Sequence, residues 1–382
     1  MGRLSLSLVV ALALMALAAC GAEEKATPPP TAPSAAGARP AWEQEWEKVL
    51  AAAKKEGTVA VAGLPGAEIR KAVSELFEKR YGITVEYLGQ RGDQLTGRIK
   101  TERDAGQYLW DVHFGGTTSI ITVLKPMGAL APIEPALIVP EVTDGKNWRD
   151  GRLEFGDKDR TLLFMTTYTS EALMVNPSLV KPGDIRSYRD LLDPKWKGKV
   201  VAHDPRVSGS GQARFVFYYW NKDLGTDYIR ALRDQAEVAL LRDTTQELQW
   251  LAQGKYAICI GCSTSEAAPM IEAGAPIGVV DARQMKEGGY LTVGGGGLTM
   301  FSNAPHPNAA KVYLNWFLSK EGQTEFAKAA GLVSRRLDGP TDHVPPRDLP
   351  VAGWSILLDG EEGVLERRVK AQPFFTEVFG RN

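Results

Sequence analysis

The chain has few of the residues that usually announce chemistry. Its four histidines, at 113, 203, 306 and 343, are scattered and offer no metal-ligand spacing. Neither charge dominates: 45 Lys and Arg stand against 46 Asp and Glu, a net charge of −1, so there is no electrostatic footprint for nucleic acid. No apolar run reaches the roughly 18 residues of a membrane helix. A nucleotide P-loop is also missing. The Ser-Gly steps of "HDPRVSGSGQARFVFYYW" (203–220) end at Gly211, which is followed by Gln212 and Ala213 where a P-loop needs Lys and Ser or Thr.

The N-terminus is informative. Arg3 and the terminal amine precede an apolar run from Leu4 to Leu17 that ends in small residues, which reads as a secretory signal over residues 1–20. Leu17-Ala18-Ala19-Cys20, followed by Gly21, resembles a bacterial lipobox, whose processing leaves the cysteine as a lipid-bearing N-terminus. Residues 21–40, "GAEEKATPPPTAPSAAGARP", are rich in Pro, Ala and small polar groups and cannot bury enough to fold, so they form a flexible tether. A tether after a lipid site implies a soluble body held beside a membrane.

Helix and strand signals then alternate. Trp42, Trp46, Val49 and Ala53 share a helix face that stops at Gly57, and "TVAVAG" (58–63) reads as a buried strand. Ile69, Val73, Leu76 and Phe77 mark a second helix ending near Gly82, followed by an alternating strand with Val85 and Tyr87; a helix after Asp93 leads to the strand "WDVHF" (110–114). This β-α-β-α-β order predicts a mostly parallel sheet wrapped by helices. Ligands bind at the carboxyl ends of such strands. Here those ends are Leu64-Pro65-Gly66, Gly89-Gln90-Arg91-Gly92 and Gly115-Gly116-Thr117-Thr118.

A second set begins after "TLLFMTTY" (161–168). "KVVAHD" (199–204) opens onto the Ser-Gly steps, Thr244 and Glu247 have capping-box spacing, and "YAICIG" (256–261) opens onto Cys262-Ser263-Thr264-Ser265. "LTMFSN" (298–303) and a helix through Val312, Tyr313, Trp316 and Phe317 return to the first unit, and Gly294 to Gly297 supply backbone freedom near that crossing. Two lobes with facing mouths would enclose a solute by hinge closure. The expected division is 41–165 with 289–382 for the first lobe and 166–288 for the second.

Several stretches resemble the extracellular solute-binding proteins of bacterial ABC importers, especially the group holding ferric-ion and phosphonate binders. They are Thr58 to Glu78, "GQRGDQLTGRIKTE", "YRDLLDPKWKGKVV" (188–201), "QELQWLAQGKYAICIG" (246–261) and "APHPNAAKVYLNWFLSKEGQ" (304–323). The resemblance implies a type II periplasmic-binding-protein fold, with two α/β lobes of mostly parallel sheet joined by two hinge strands. It implies a monomer without catalysis or cofactor, which hands a small solute to a permease in the inner membrane. The protein would then sit in the periplasm or on the outer side of the cell membrane, anchored through Cys20. Ferric members carry adjacent tyrosines after the strand matching "YAICIG"; this chain has Cys262-Ser263-Thr264 there, and its adjacent Tyr218 and Tyr219 fall two turns into a helix. Ferric capture is the alternative within the class, and no metal ligand set is assigned.

The expected site follows from the mouths. Arg91, Gly92, Gly116, Thr117 and Thr167 would face His203, Arg206, Ser208, Ser210, Cys262, Ser263 and Thr264. Arg91 suits a bidentate contact with carboxylate or phosphonate, or else is a solvated surface arginine; His203 and Arg206 carry the same ambiguity. Ser210 either caps its helix or leaves an open, anion-accepting end. A helix terminus gives an exposed anion only about 0.3–1 kcal/mol, whereas micromolar capture needs about 8 kcal/mol, so enclosure must supply most of the affinity. Cys259 and Cys262 form a CxxC, which raises the other class, an exported thiol redox protein. Cys259 lies within an apolar strand, however, not at a helix N-terminus that would lower its pKa. A continuing strand would hold the two Cα atoms about 10 Å apart, beyond disulfide reach unless Gly261 turns the chain. His113 reads as a packed strand histidine, and His306 and His343, among prolines, as exposed.

Overall fold

The helix Ala41–Glu56 turns Val49 and Ala53 inward and stops at Gly57 in a left-handed conformation. It opens a computed structural model that describes residues 39–380 apart from Arg91. The signal, Cys20 and nearly all of the tether therefore lie outside the described residues, as does Arg91. Strand β1 (Thr58–Gly63) pairs in parallel with β2 (Thr84–Gly89) and β3 (Val112–Gly115), with helix Ala67–Tyr81 between the first two. The remaining strands are β4 (Leu130–Ala131), β5 (Leu163–Phe164), β6 (Tyr168–Thr169), β7 (Leu173–Val175), β8 (Val200–His203), β9 (Ala239–Leu241), β10 (Ile258–Ile260), β11 (Gly278–Val280), β12 (Leu291–Thr292) and β13 (Gly297–Phe301).

They form two mixed sheets and a ribbon. The first sheet has the order β2-β1-β3-β13-β4 with β5 on β13, the second the order β11-β7-β10-β8-β9, and β6 pairs antiparallel with β12. Parallel pairing holds among β1, β2 and β3 and among β8, β9 and β10. Strands β13 and β7 run antiparallel to them. The direction follows from the route: β1, β3, β8 and β10 run toward the junction of the lobes, whereas β7 and β13 start from the β6–β12 ribbon and run away from it. This is the type II periplasmic-binding-protein fold, with β6 and β12 as its hinge strands.

Each lobe closes on its own aromatic core. In the first, Phe77 meets Tyr313 at 5.1 Å between ring centroids, and Phe114 meets Phe317 at 5.2 Å. In the second, helix Ser210–Trp220 buries Phe215 and Tyr218, and Tyr218 stands edge-on to Tyr228 at 5.3 Å. The chain end departs from the expected division. Helix Lys370–Phe379 does not join the first lobe; it buries Ala371, Phe375 and Val378 in the second core. The cause is an aromatic face on Ser210–Trp220 that needs cover: Phe215 meets Phe379 at 5.7 Å and Tyr219 meets Phe374 at 5.3 Å. Among the described residues no helix is long and apolar enough to cross a membrane.

Candidate functional site

A cavity of about 860 Å³ lies between the lobes. The first lobe lines it with Gly92 at the start of helix Gly92–Asp104, and with Gly116, Thr117, Thr118 and Ser119 at the start of Thr117–Ser119, which continues as the π-helical turn Ile120–Leu124. The second lobe contributes Ser208, Gly209 and Ser210, leading into Ser210–Trp220, and Cys262, Ser263 and Thr264, leading into Thr264–Glu272. Four helix N-termini, two per lobe, thus open on one space. The first-turn N–H groups of a helix lack intrahelical acceptors and carry a partial positive charge, so this arrangement suits an anion.

Local packing leaves two of these ends without a side-chain cap: Gly209 and Gly116 occupy the N-cap positions of their helices. Ser210, a capping candidate by sequence, lies within the first turn and donates its hydroxyl to the Gly261 carbonyl at 2.6 Å. Two glycines permit this approach: a Cβ on Gly211 would collide with the His203 carbonyl, and one on Gly261 would stand 2.6 Å from the Gly211 Cα. Ser263 does cap its helix, accepting from the Glu266 amide at 3.4 Å.

Eight of the expected residues therefore share the cavity: Gly92, Gly116, Thr117, Ser208, Ser210, Cys262, Ser263 and Thr264. Three others do not. Thr167 is fully buried, donating to the Thr166 carbonyl at 2.8 Å and accepting from Arg335 at 2.8 Å; side chains alternate along an extended chain, so it is the neighbouring Tyr168 that faces the cavity. His203 is held by the buried Glu247, Nδ1 to Oε1 at 2.8 Å. The capping-box reading of Glu247 falls with it, because Asp243 caps that helix by accepting from the Gln246 amide at 3.0 Å. Arg206 clasps Asp204 at 2.8 Å and the carbonyls of Phe379 and Gly380 at 3.2 and 2.7 Å. His306 and His343 are not free surface groups: they meet Asp111 at 2.9 Å and the Leu332 carbonyl at 2.8 Å.

The floor of the cavity comes from residues the sequence reading passed over. Tyr168 lies on the first crossing and Ser170 and Glu171 follow it, Tyr290 and Thr292 belong to the second, and Asp359 and Arg368 arrive from the C-terminal segment. Asp359 is engaged on both oxygens, accepting from Thr117 and from the Val293 amide at 3.1 Å each, with Arg368 at 3.7 Å. Glu171 is half-buried, and burial pushes its carboxyl up while Arg214 pulls the other way. Burial also drives the Tyr168 phenol up, reinforced by Glu171 and Asp359, so it keeps its proton. One signal was available for Glu171: it is the lone acid in the run "TLLFMTTYTSEALMV".

Gly261 does turn the chain, at φ 68°, and brings the Cys259 and Cys262 Cα atoms to 5.9 Å in a disulfide. Both cysteines are buried, which denies an attacking thiolate the access that exchange requires. Among the described residues the one acid, thiol and imidazole group close enough to hold a metal is Glu247, Cys259 and Cys262, and its sulfurs are committed to each other. A second groove of about 740 Å³, on the first lobe between Trp42, Trp46, Tyr81 and Trp316, contains none of the expected site residues.

Comparison with known proteins gives this geometry its class. The profile of the bacterial extracellular solute-binding proteins matches residues 72–343, and the chain belongs to that family. It is similar to iron uptake protein A1 of Synechocystis, 21% identical over 272 residues that cover 66% of this chain and 68% of the relative. Among solved structures it resembles the periplasmic binding protein AfuA of Actinobacillus pleuropneumoniae with exogenous fructose-6-phosphate bound (TM-score 0.63, 18% identity, 84% of this chain and 98% of that one). It also resembles iron-bound HitA of Pseudomonas aeruginosa (TM-score 0.62, 19% identity, 84% and 99%). At such identities the structures establish the fold, and the family establishes a solute-binding component of the ABC-importer type.

Proposed function

We propose that this protein is a monomeric, lipid-anchored binding protein that captures a small polar solute bearing an anionic group, shuts its lobes about β6 and β12, and delivers the solute to a membrane permease. The observation that carries the reading is the convergence of helix ends from both lobes on one cavity. Each end stabilises an anion by about 0.3–1 kcal/mol when exposed and up to about 2 kcal/mol when partly buried. Closure therefore moves the sum toward the roughly 8 kcal/mol of micromolar binding. The fructose-6-phosphate bound by AfuA, a phosphorylated sugar, supports this chemistry. Cys20, outside the described residues, supplies the anchor in the periplasm or on the outer side of the cell membrane, and the tether supplies reach.

Thermal shift against phosphate monoesters, phosphonates and organic acids tests the reading. A ligand at about 100 times its Kd adds about 2.7 kcal/mol of stability, a shift of several degrees. Native mass spectrometry of freshly purified protein would reveal a retained guest. Failure of every anionic solute to stabilise the protein rejects the proposal.

Ferric ion as cargo is the second reading, favoured by the oxygen donors Tyr168, Tyr290 and Glu171 in the cavity and by the names of the relatives. The adjacent tyrosines do not serve it. Tyr218 is buried in the second core and Tyr219 packs on Phe374. Adding Fe(III) to the purified protein should produce a visible charge-transfer band if this reading holds; a colourless titration removes it.

A further inference from the structure

We propose that Glu171 sets the specificity of the cleft and that the solute it selects is a zwitterion, whose anion meets the helix ends and whose ammonium meets this carboxylate. The inference rests on the anion-site reading above. The described charged residues lining the cavity are Lys100, Glu171, Asp359 and Arg368. Lys100 is paired with Asp104 at 2.5 Å, and Asp359 with Arg368 at 3.7 Å. Glu171 alone among them has no ion-pair partner within 4 Å among the described residues.

The cation that does act on Glu171 is already occupied. Arg214 is buried and donates to the Tyr188 hydroxyl at 3.1 Å and to Ser170 Oγ at 3.0 Å, with its guanidinium over the Tyr290 ring at 5.0 Å. It stabilises the charge of Glu171 from beneath the floor and leaves the cavity side to a guest. Arg347 and Asp348 add weaker contributions of opposite sign.

Closure then decides what can bind. A purely anionic solute shut against Glu171 would place like charges together in a space losing its water, a juxtaposition that disfavours binding. An ammonium at the same point forms a charge-assisted hydrogen bond, and the Tyr168 ring on the same floor adds an aromatic surface that attracts a cation. The carboxylate thus rejects one class and rewards another, which is how a site discriminates.

O-Phosphoethanolamine and ethyl phosphate isolate the effect, because both are phosphate monoesters of a two-carbon chain and only the first carries an ammonium. By isothermal titration calorimetry at neutral pH the wild-type protein should bind O-phosphoethanolamine at least tenfold more tightly than ethyl phosphate. Glu171→Gln, shown to be folded by its melting curve, should lose at least tenfold on the first probe and gain affinity for the second, which no longer meets a like charge. Equal wild-type affinities, or an unchanged ratio in E171Q, overturn the inference and leave the anion site standing. Binding of neither probe at millimolar concentration defeats the anion site and the inference together. A ferric charge-transfer band that disappears in E171Q would assign the carboxylate to metal and also overturn the proposal.

Discussion

His113 shows how one buried side chain sets a pH limit on the fold. Its Nδ1–H donates to the Ala62 carbonyl at 2.9 Å, its Nε2 has no partner, and burial pushes its pKa down from 6.5 to about 4. The unfolded chain therefore binds this proton first as pH falls. The stabilisation is complete above about pH 6.5 and is lost as pH descends through about 4, by about 3 kcal/mol in total from this group. The difference in unfolding free energy between wild type and His113→Phe should accordingly follow this slope between pH 6.5 and 4, whatever the absolute cost of the substitution; a pH-independent difference would show that the imidazole is not kept neutral. At this scale the sequence discloses small residues better than charged ones. Ser208, Ser210, Ser263 and Thr264 face the cavity because chain geometry at a helix start leaves them few alternatives. Arg206 and His203 have long or polar ends that find Asp204 and Glu247, partners whose direction no spacing rule supplies. Thr167 and Tyr168 differ by one position and hence by one face.

The elements were legible where a local signal fixes them. Apolar stripes ending at Gly57 and Gly82 give the first two helices, and "TVAVAG" gives β1 residue for residue. Sheet order was less accessible, because β13 pairs with β3 although the whole second lobe lies between them in sequence, and a residue's neighbours in sequence do not encode that partner. The mouth of the second lobe is a joint between elements: the Cys259–Cys262 disulfide and the Gly211–Gly261 contact hold the turn after β10 against the start of helix Ser210–Trp220. Closing so short a loop is worth about 2 kcal/mol by chain entropy. Reduction, or the paired Cys259→Ser and Cys262→Ser change, should lower stability by about that amount in denaturant titrations. Gly211→Ala should cost about 1–3 kcal/mol through overpacking and also weaken solute binding, since the displaced backbone carries the Ser210 amide with it. Lost stability with intact affinity would detach this joint from the site.

At the scale of the whole molecule the lobes are linked by more than the β6–β12 ribbon. Beyond it, Asp359 bonds to Thr117 and to the Val293 amide, Glu361 pairs with Lys125 at 2.9 Å, and Val364 packs with Ile120, Ile121 and Leu124 on the first-lobe side. The chain then turns through Gly363–Val369 into helix Lys370–Phe379, where Gln372 bonds to Gln212 at 2.8 Å and Phe375 enters the second core. The C-terminal segment is thus a third crossing, one that supplies Asp359 and Arg368 to the cavity floor and, attached to both lobes, is placed to restrain hinge opening. Phe375→Ala cuts only the far attachment. It should cost about 3–5 kcal/mol in the second lobe, seen in calorimetry as an earlier transition for that lobe while the first-lobe transition stays in place. In small-angle scattering the solute-free variant should show a larger radius of gyration than wild type, and a saturating solute should bring the two together. A radius identical to wild type without solute would mean that the ribbon alone sets the opening, and that the segment contributes floor residues without restraining the lobes.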